Sequence, residues 1–199
     1  MNKLGKFFRL VGILLIVISL VLLVRNDYEE YEAGKKSADI VNVIKNNFDD
    51  GNVVKAEGFV NNAEMTTTKI DNYDYIGVIS IPSLDLELPV MADYDDARLK
   101  IAPVRYYGSV YTDDLIICAH SYKTHFGYLS RLKQGDKVIF TDISGVSYIY
   151  EVLEIEVLAS TDVSHMIDND FDLTLYTCTS DGNSRITVRC NKITSDMNI

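Results

Sequence analysis

From Tyr73 onward the sequence is a series of short runs that alternate apolar and polar side chains, separated by turn residues and with few helical periods among them. Tyr75 to Pro82 alternates, Ser83 breaks the pattern, and Leu84, Leu86 and Leu88 restore it up to Pro89 and Val90. Leu115 to Ala119 is continuously apolar and has the length of a buried strand. Further strands are expected at Lys137 to Thr141 and at Val146 to Leu158. A short helix is expected to carry Phe126, Leu129 and Leu132 and to end near Gly135. Many short strands at even spacing leave a closed barrel or a sandwich, because only those architectures bury one face of each strand in a chain of this size.

The N-terminal part has a different pattern. Phe7 to Val24 is apolar, interrupted only by Arg9, Gly12 and Ser19. As a helix this run with its flanks spans roughly 25–30 Å, close to the thickness of a bilayer core. Lys3, Lys6 and Arg9 precede it, so the positive-inside rule keeps the N-terminus cytoplasmic and places the remainder outside. Arg25-Asn26-Asp27-Tyr28-Glu29-Glu30 follows Val24 and offers no small-residue cleavage site, which favours an uncleaved anchor over a signal peptide. From Asn26 to Phe48, Ile40, Val41 and Ile44 fall at helical spacing and suggest a helical stalk, and Val53 to Asn72 reads as a linker. The expected organisation is therefore a cytoplasmic tail and membrane anchor (1–25), a stalk and linker (26–72) and a mainly β domain (73–199). The net charge of −10 includes the +4 of residues 1–25, so the exported remainder carries −14. So acidic a domain, with no basic stripe, is a poor partner for nucleic acid.

Three cysteines, Cys118, Cys178 and Cys190, are too few for a disulfide scaffold. Pairing of Cys118 with Cys190 would leave Cys178 as the odd thiol. An isolated cysteine usually behaves as a small buried hydrophobe. Alternation from Thr174, however, puts Cys178 on the polar face of its strand, with Leu173 and Leu175 on the other. Arg185 to Cys190 repeats the pattern, with Ile186, Val188 and Cys190 on one face and Arg185 and Arg189 opposite. The link Thr179-Ser180-Asp181-Gly182-Asn183-Ser184 is turn chemistry throughout. A hairpin would set Cys178 facing Arg185 on its outward side. A fixed cation beside a thiol favours the thiolate, which is the nucleophilic form.

His120 ends the apolar run, where a strand gives way to the loop Ser121-Tyr122-Lys123-Thr124. Such a histidine is held in place yet free to titrate near neutral pH. His125 and His165 read as loop-surface residues. Cys178 as nucleophile and His120 as acid and base could carry out acyl transfer. Arg185 cannot serve as a base, but its donors suit a substrate carbonyl or an oxyanion. Arg189 lies on the same face some 13 Å further along at about 3.3 Å per residue, too far to serve the same atom.

With these residues in place, the chain resembles the sortases, membrane-anchored cysteine transpeptidases of Gram-positive surfaces. Thr174-Leu175-Tyr176-Thr177-Cys178 matches the family's Thr-Leu-x-Thr-Cys motif, and Ile117-Cys118-Ala119-His120 stands where its histidine follows a hydrophobic strand. Arg185-Ile186-Thr187-Val188 fits Arg-x-x-Val. Gly77 to Pro82, Leu88-Pro89-Val90, Phe126-Gly127-Tyr128-Leu129 and Gly135-Asp136-Lys137-Val138 also resemble family segments, so the likeness covers about residues 75–192. It implies a closed barrel of about eight strands. It also implies that Cys178 forms a thioacyl intermediate with a sorting signal, commonly of the Leu-Pro-x-Thr-Gly kind, on a surface protein. His120 would protonate the leaving amine and assist an acceptor amine from a peptidoglycan precursor or a pilin, while Arg185 positions the peptide. Thr177, beside the thiol, is a candidate substrate contact.

The resemblance implies no cofactor. Family members differ in calcium dependence, and Asp113, Asp114 and Glu154 form no convincing ligand pattern. Cys118 replaces a more usual aliphatic residue. Pro82, Pro89 and Pro103 are the only prolines, so the Asp-Pro-aromatic lid motif of the pilin-polymerising class is missing. The competing functions are an exported cysteine peptidase that releases its product to water, and a membrane-tethered binding module with an inert Cys178.

Overall fold

The computed structural model describes residues 3–49 and 64–193. Its centre is a ring of eight strands: β2 (Tyr73–Ile81), β3 (Leu86–Met91), β4 (Val104–Tyr107), β5 (Leu115–Cys118), β6 (Lys137–Asp142), β7 (Ser147–Ala159), β8 (Leu173–Cys178) and β9 (Ser184–Lys192). The order is β2-β3-β4-β5-β8-β9-β7-β6, and β6 pairs back onto β2 to close the ring. This settles the choice between sandwich and barrel. Closure needs a close approach at Gly77, where a Cβ would sit 2.2 Å from the Thr141 carbonyl oxygen. β1 (Thr68–Ile70) forms a hairpin with β2 through Asp71 and Asn72, both at positive φ as a tight two-residue turn requires. It lies at the end of the stretch expected to be linker, most of which is outside the described residues. The strand expected at Val146 to Leu158 is β7, whose pairing with β9 shifts register between Val152 and Glu154. In place of the helix expected at Phe126–Leu132 there are tight turns and a short 3-10 segment, Leu129–Arg131.

The barrel is lined by alternate residues, among them Ile79, Leu88, Ile117, Phe140, Val152, Leu175 and Val188. A second core lies outside it. Ile40, Val41 and Ile44 of the helix α1 (Lys3–Asp49) cover Tyr75, Val78, Met91, Val104, Ile116 and Cys118. Ala33, Ser37, Ile40, Val41 and Ile44 recur at three- and four-residue intervals, which puts them on one helical stripe. Burial of Ile40, Val41 and Ile44 contributes about 1.5–3 kcal/mol each. The expected stalk is thus docked on the barrel, and α1 runs unbroken for 47 residues from the apolar segment into that contact. Phe7 to Val24 stays exposed, on a helix long and apolar enough to cross a membrane.

Candidate active site

Strands β5, β8 and β9 are consecutive neighbours in the ring; Cys178 ends β8, Arg185 lies in β9, and His120 follows the end of β5 by two residues. Cys178, the last residue of β8, lies directly opposite Arg185 in the antiparallel β8–β9 pair. On its other side β8 runs parallel to β5 in the register Cys118 to Tyr176, and the Ala119 amide extends the ladder by donating to the Tyr176 carbonyl at 3.2 Å. His120 comes next, abreast of Cys178. Continued by two residues, that register brings the backbone of His120 level with Cys178 at the strand spacing of about 4.8 Å, with Arg185 on the opposite side.

The turn after Cys178 is held by its own side chains. Thr179 donates its amide to the Ser184 carbonyl at 3.0 Å, Gly182 takes φ +72°, and Asp181 accepts from the Thr179 hydroxyl and the Asn183 amide. These donors, the Thr179 hydroxyl foremost, hold the Asp181 carboxyl below its ordinary value. Arg185 bends over this turn and donates one Nη1 to the carbonyls of Gly182 and Ser184, at 3.3 and 3.2 Å. It has no carboxylate partner among the described residues. The guanidinium lines a cavity of about 110 Å³ with Tyr94, Tyr106, Tyr176 and Met166. The three tyrosines stack edge to face, with ring centres 5.4 and 5.5 Å apart.

Four sequence readings need correction. The face of β8 read as outward is covered: Thr174 and Tyr176 are buried, and Cys178 alone of that set is half-exposed. Cys118 and Cys190 do not pair. Cys190 points into the barrel and Cys118 into the outer core, all three thiols are free, and burial pushes those two up to about 12. Thr177 does not face substrate; it is 1% exposed and its hydroxyl donates to the Ala119 carbonyl at 2.8 Å, tying the Cys178 strand to the residue before His120. His125 is not at the surface. It is fully buried, its Nε2 is 3.4 Å from the Ser37 hydroxyl of α1, and burial, with His120 nearby, lowers it to about 4. His165 is exposed as expected.

The His120 ring stacks on Tyr122, 4.0 Å between centres and 22° between planes. Burial holds its pKa below the usual histidine value, the Lys100 ammonium adds to this, and Glu29 opposes it. Its Nδ1 is buried and has no hydrogen-bond partner among the described residues. The neutral imidazole is therefore the resting form near neutral pH. Arg189 differs from Arg185 throughout: it is 1% exposed, ion-paired to Glu156 at 2.7 Å, and bonded to the Thr174 hydroxyl and the Met166 and His165 carbonyls. The sequence could not show these partners, because His165 and Met166 lie on the short helix α2 (Val163–Ile167), folded over the strand.

Comparison with known proteins agrees with the geometry. Residues 79–193 match the family model described as Sortase domain. Sortase A of Bacillus anthracis is 28% identical over 194 residues, covering 90% of each chain. The crystal structure of sortase C1 from Streptococcus agalactiae superposes with a TM-score of 0.55 at 26% identity, over 64% of this chain and 72% of that one. A Clostridium perfringens Sortase D5 transpeptidase, at 18% identity, shares the fold with a TM-score of 0.59 over 80% of this chain and 99% of its own. The closed barrel, with Cys178 and Arg185 paired across β8 and β9 and His120 just beyond neighbouring β5, and a family match over most of that barrel lead to one conclusion: the chain belongs to the sortase family, whose members are cysteine transpeptidases that anchor surface proteins.

Proposed function

We propose that Cys178 attacks the carbonyl of a sorting signal of the Leu-Pro-x-Thr-Gly kind on a surface protein held at the outer face of the membrane. As the Cys178 sulfur adds to the carbonyl carbon, its thiol proton passes to neutral His120, which gives that proton to the departing amine, and a thioester remains on Sγ. Neutral His120 then takes a proton from the acceptor amine as the new amide forms and the thiolate leaves. The acceptor is an amine of a peptidoglycan precursor or a pilin. Arg185, with no carboxylate partner among the described residues, donates to the peptide carbonyl and to the developing oxyanion. The chemistry uses side chains alone and needs no cofactor. The apolar segment of α1 crosses the membrane with its basic N-terminus inside and the barrel outside.

The observation that carries this reading is the order β5-β8-β9, which sets the half-exposed thiol between His120 and Arg185 while the other two thiols are buried. The test incubates the protein with a sorting-signal peptide, with and without an amine acceptor. Formation of a peptide–acceptor amide is the predicted result. Hydrolysis that no acceptor diverts would make the protein a peptidase. No turnover, with Cys178 inert to thiol reagents, would make it a binding module.

A further inference from the structure

A histidine that moves protons in catalysis is ordinarily oriented by a third group, which accepts a hydrogen bond from the ring nitrogen away from the reaction. His120 has no such group among the described residues, and its Nδ1 is buried and unpartnered. Nε2 is the nitrogen left to exchange protons, yet no hydrogen bond behind the ring sets its direction. What meets the imidazole instead is the flat face of Tyr122, 4.0 Å between ring centres and 22° between planes.

Tyr122 is itself held from several sides. It is 5% exposed, in a loop that folds back on its own backbone. The Tyr122 carbonyl accepts from the amides of His125 and Gly127, at 3.0 and 2.8 Å, and the His120 carbonyl accepts from the Phe126 amide at 3.3 Å. Gly127 permits this closeness, since a Cβ there would lie 2.6 and 2.7 Å from the Ser121 and Tyr122 carbonyl oxygens. Phe126 is buried in the barrel core and fastens the loop from inside. From outside, α1 closes over it. Glu30 accepts from the Lys123 amide at 3.0 Å, its carbonyl accepts from the Thr124 hydroxyl at 3.2 Å, and Ser37 lies 3.4 Å from His125 Nε2. The His125 ring in turn lies 5.6 Å from that of Tyr122.

We propose that Tyr122 is the positioning residue for His120: its rigidly held aromatic face takes the place of the missing hydrogen-bond partner and fixes the plane of the imidazole. Rotation of the imidazole out of that plane would drive its edge into the Tyr122 ring, so the stack restrains the direction from which Nε2 gives and takes protons. An aliphatic side chain of similar volume would cover the imidazole without fixing its plane. The contact is made by the ring, and the phenol hydroxyl takes no part in it. Tyr122 therefore acts on the reaction only through His120.

This inference rests on the transpeptidase reading, and its test separates the two. Full-length protein in phosphatidylcholine nanodiscs is compared with Tyr122→Phe, which keeps the flat face, and with Tyr122→Leu and Tyr122→Met, which keep only apolar volume. Each is checked for folding by circular dichroism and given a Leu-Pro-x-Thr-Gly peptide with diglycine as acceptor, thioester formation and aminolysis being followed separately. Tyr122→Phe should stay within about twofold of the wild type, whereas the aliphatic variants should lose about 30-fold in kcat at both steps with KM for the peptide little changed. The chain has three histidines, so histidine labelling gives a simple spectrum. The His120 Cε1 proton should resonate upfield of that of exposed His165 in the wild type and in Tyr122→Phe, and should lose that shift in the aliphatic variants. Folded aliphatic variants that keep kcat, or that change KM alone, overturn the positioning role and leave the transpeptidase reading standing. So does a Tyr122→Phe variant that loses as much as Tyr122→Leu, or a wild-type His120 signal with no upfield shift. A wild type that forms no thioester overturns both.

Discussion

The two ends of the β8–β9 hairpin carry the same kinds of residue on the same face, yet they do opposite work. At the closed end Arg189 faces Thr174, and α2 with its preceding loop is folded over both. Its donors go to Glu156, Thr174, Met166 and His165, and it is 1% exposed. At the turn end Arg185 faces Cys178, no carboxylate among the described residues reaches the guanidinium, and its two bonds go to carbonyls of the turn beneath it. What separates a structural arginine from one available to substrate is therefore the covering element and the count of satisfied donors. Residue type and strand face are shared by both.

Exchanging the expected losses would break this contrast. The largest effect on stability is expected for Arg189→Ala, which strands Glu156 and several buried acceptors and should cost about 3–5 kcal/mol in denaturant unfolding. Activity per folded molecule should stay within a few-fold. A pH effect of about 3 kcal/mol is expected from His125. Its folded value of about 4 lies below the unfolded one, so the unfolded chain binds the proton first, and stability is full above pH 6.5 and falls toward pH 4. Unfolding titrations of His125→Gln should lack that part of the slope. Arg185→Ala should lower kcat/KM about 100-fold with unchanged unfolding, and Arg185→Lys should restore little because an ammonium lacks the planar fork. If instead Arg189→Ala removed turnover while Arg185→Ala did not, the two roles would have to be exchanged. The smallest effect is expected for Thr177→Val, about 1 kcal/mol from the lost bond to Ala119, with KM for the peptide unchanged.

Much of this was legible from local pattern. Alternation located the strands, the turn residues after Cys178 located the hairpin, and the distance along β9 separated Arg185 from Arg189. Several of the corrected residues, Thr174, Tyr176 and His125 among them, share one cause, the elements packed over the outer face of the barrel. Thr174 and Tyr176 alternate as solvent-facing residues should, because period two reports two faces and does not say whether another element covers the outer one. His125 sits in a polar loop and is buried only because Ser37, far away in sequence, arrives on α1. Ile40, Val41 and Ile44 did announce an apolar helical stripe, and such a stripe implies a surface to receive it. The strand β1 was signalled only by Asp71-Asn72, a turn pair whose positive φ values show once the hairpin is formed.

The central claim is that Cys178, and neither of the buried thiols, becomes acylated. Intact-mass measurement after incubation with a sorting-signal peptide, followed by mapping of the modified residue, tests it most directly. One acyl group is expected, located on Cys178 and lost in Cys178→Ala, where Cys118 and Cys190 remain. An adduct on Cys118, or an adduct that survives in Cys178→Ala, would contradict it.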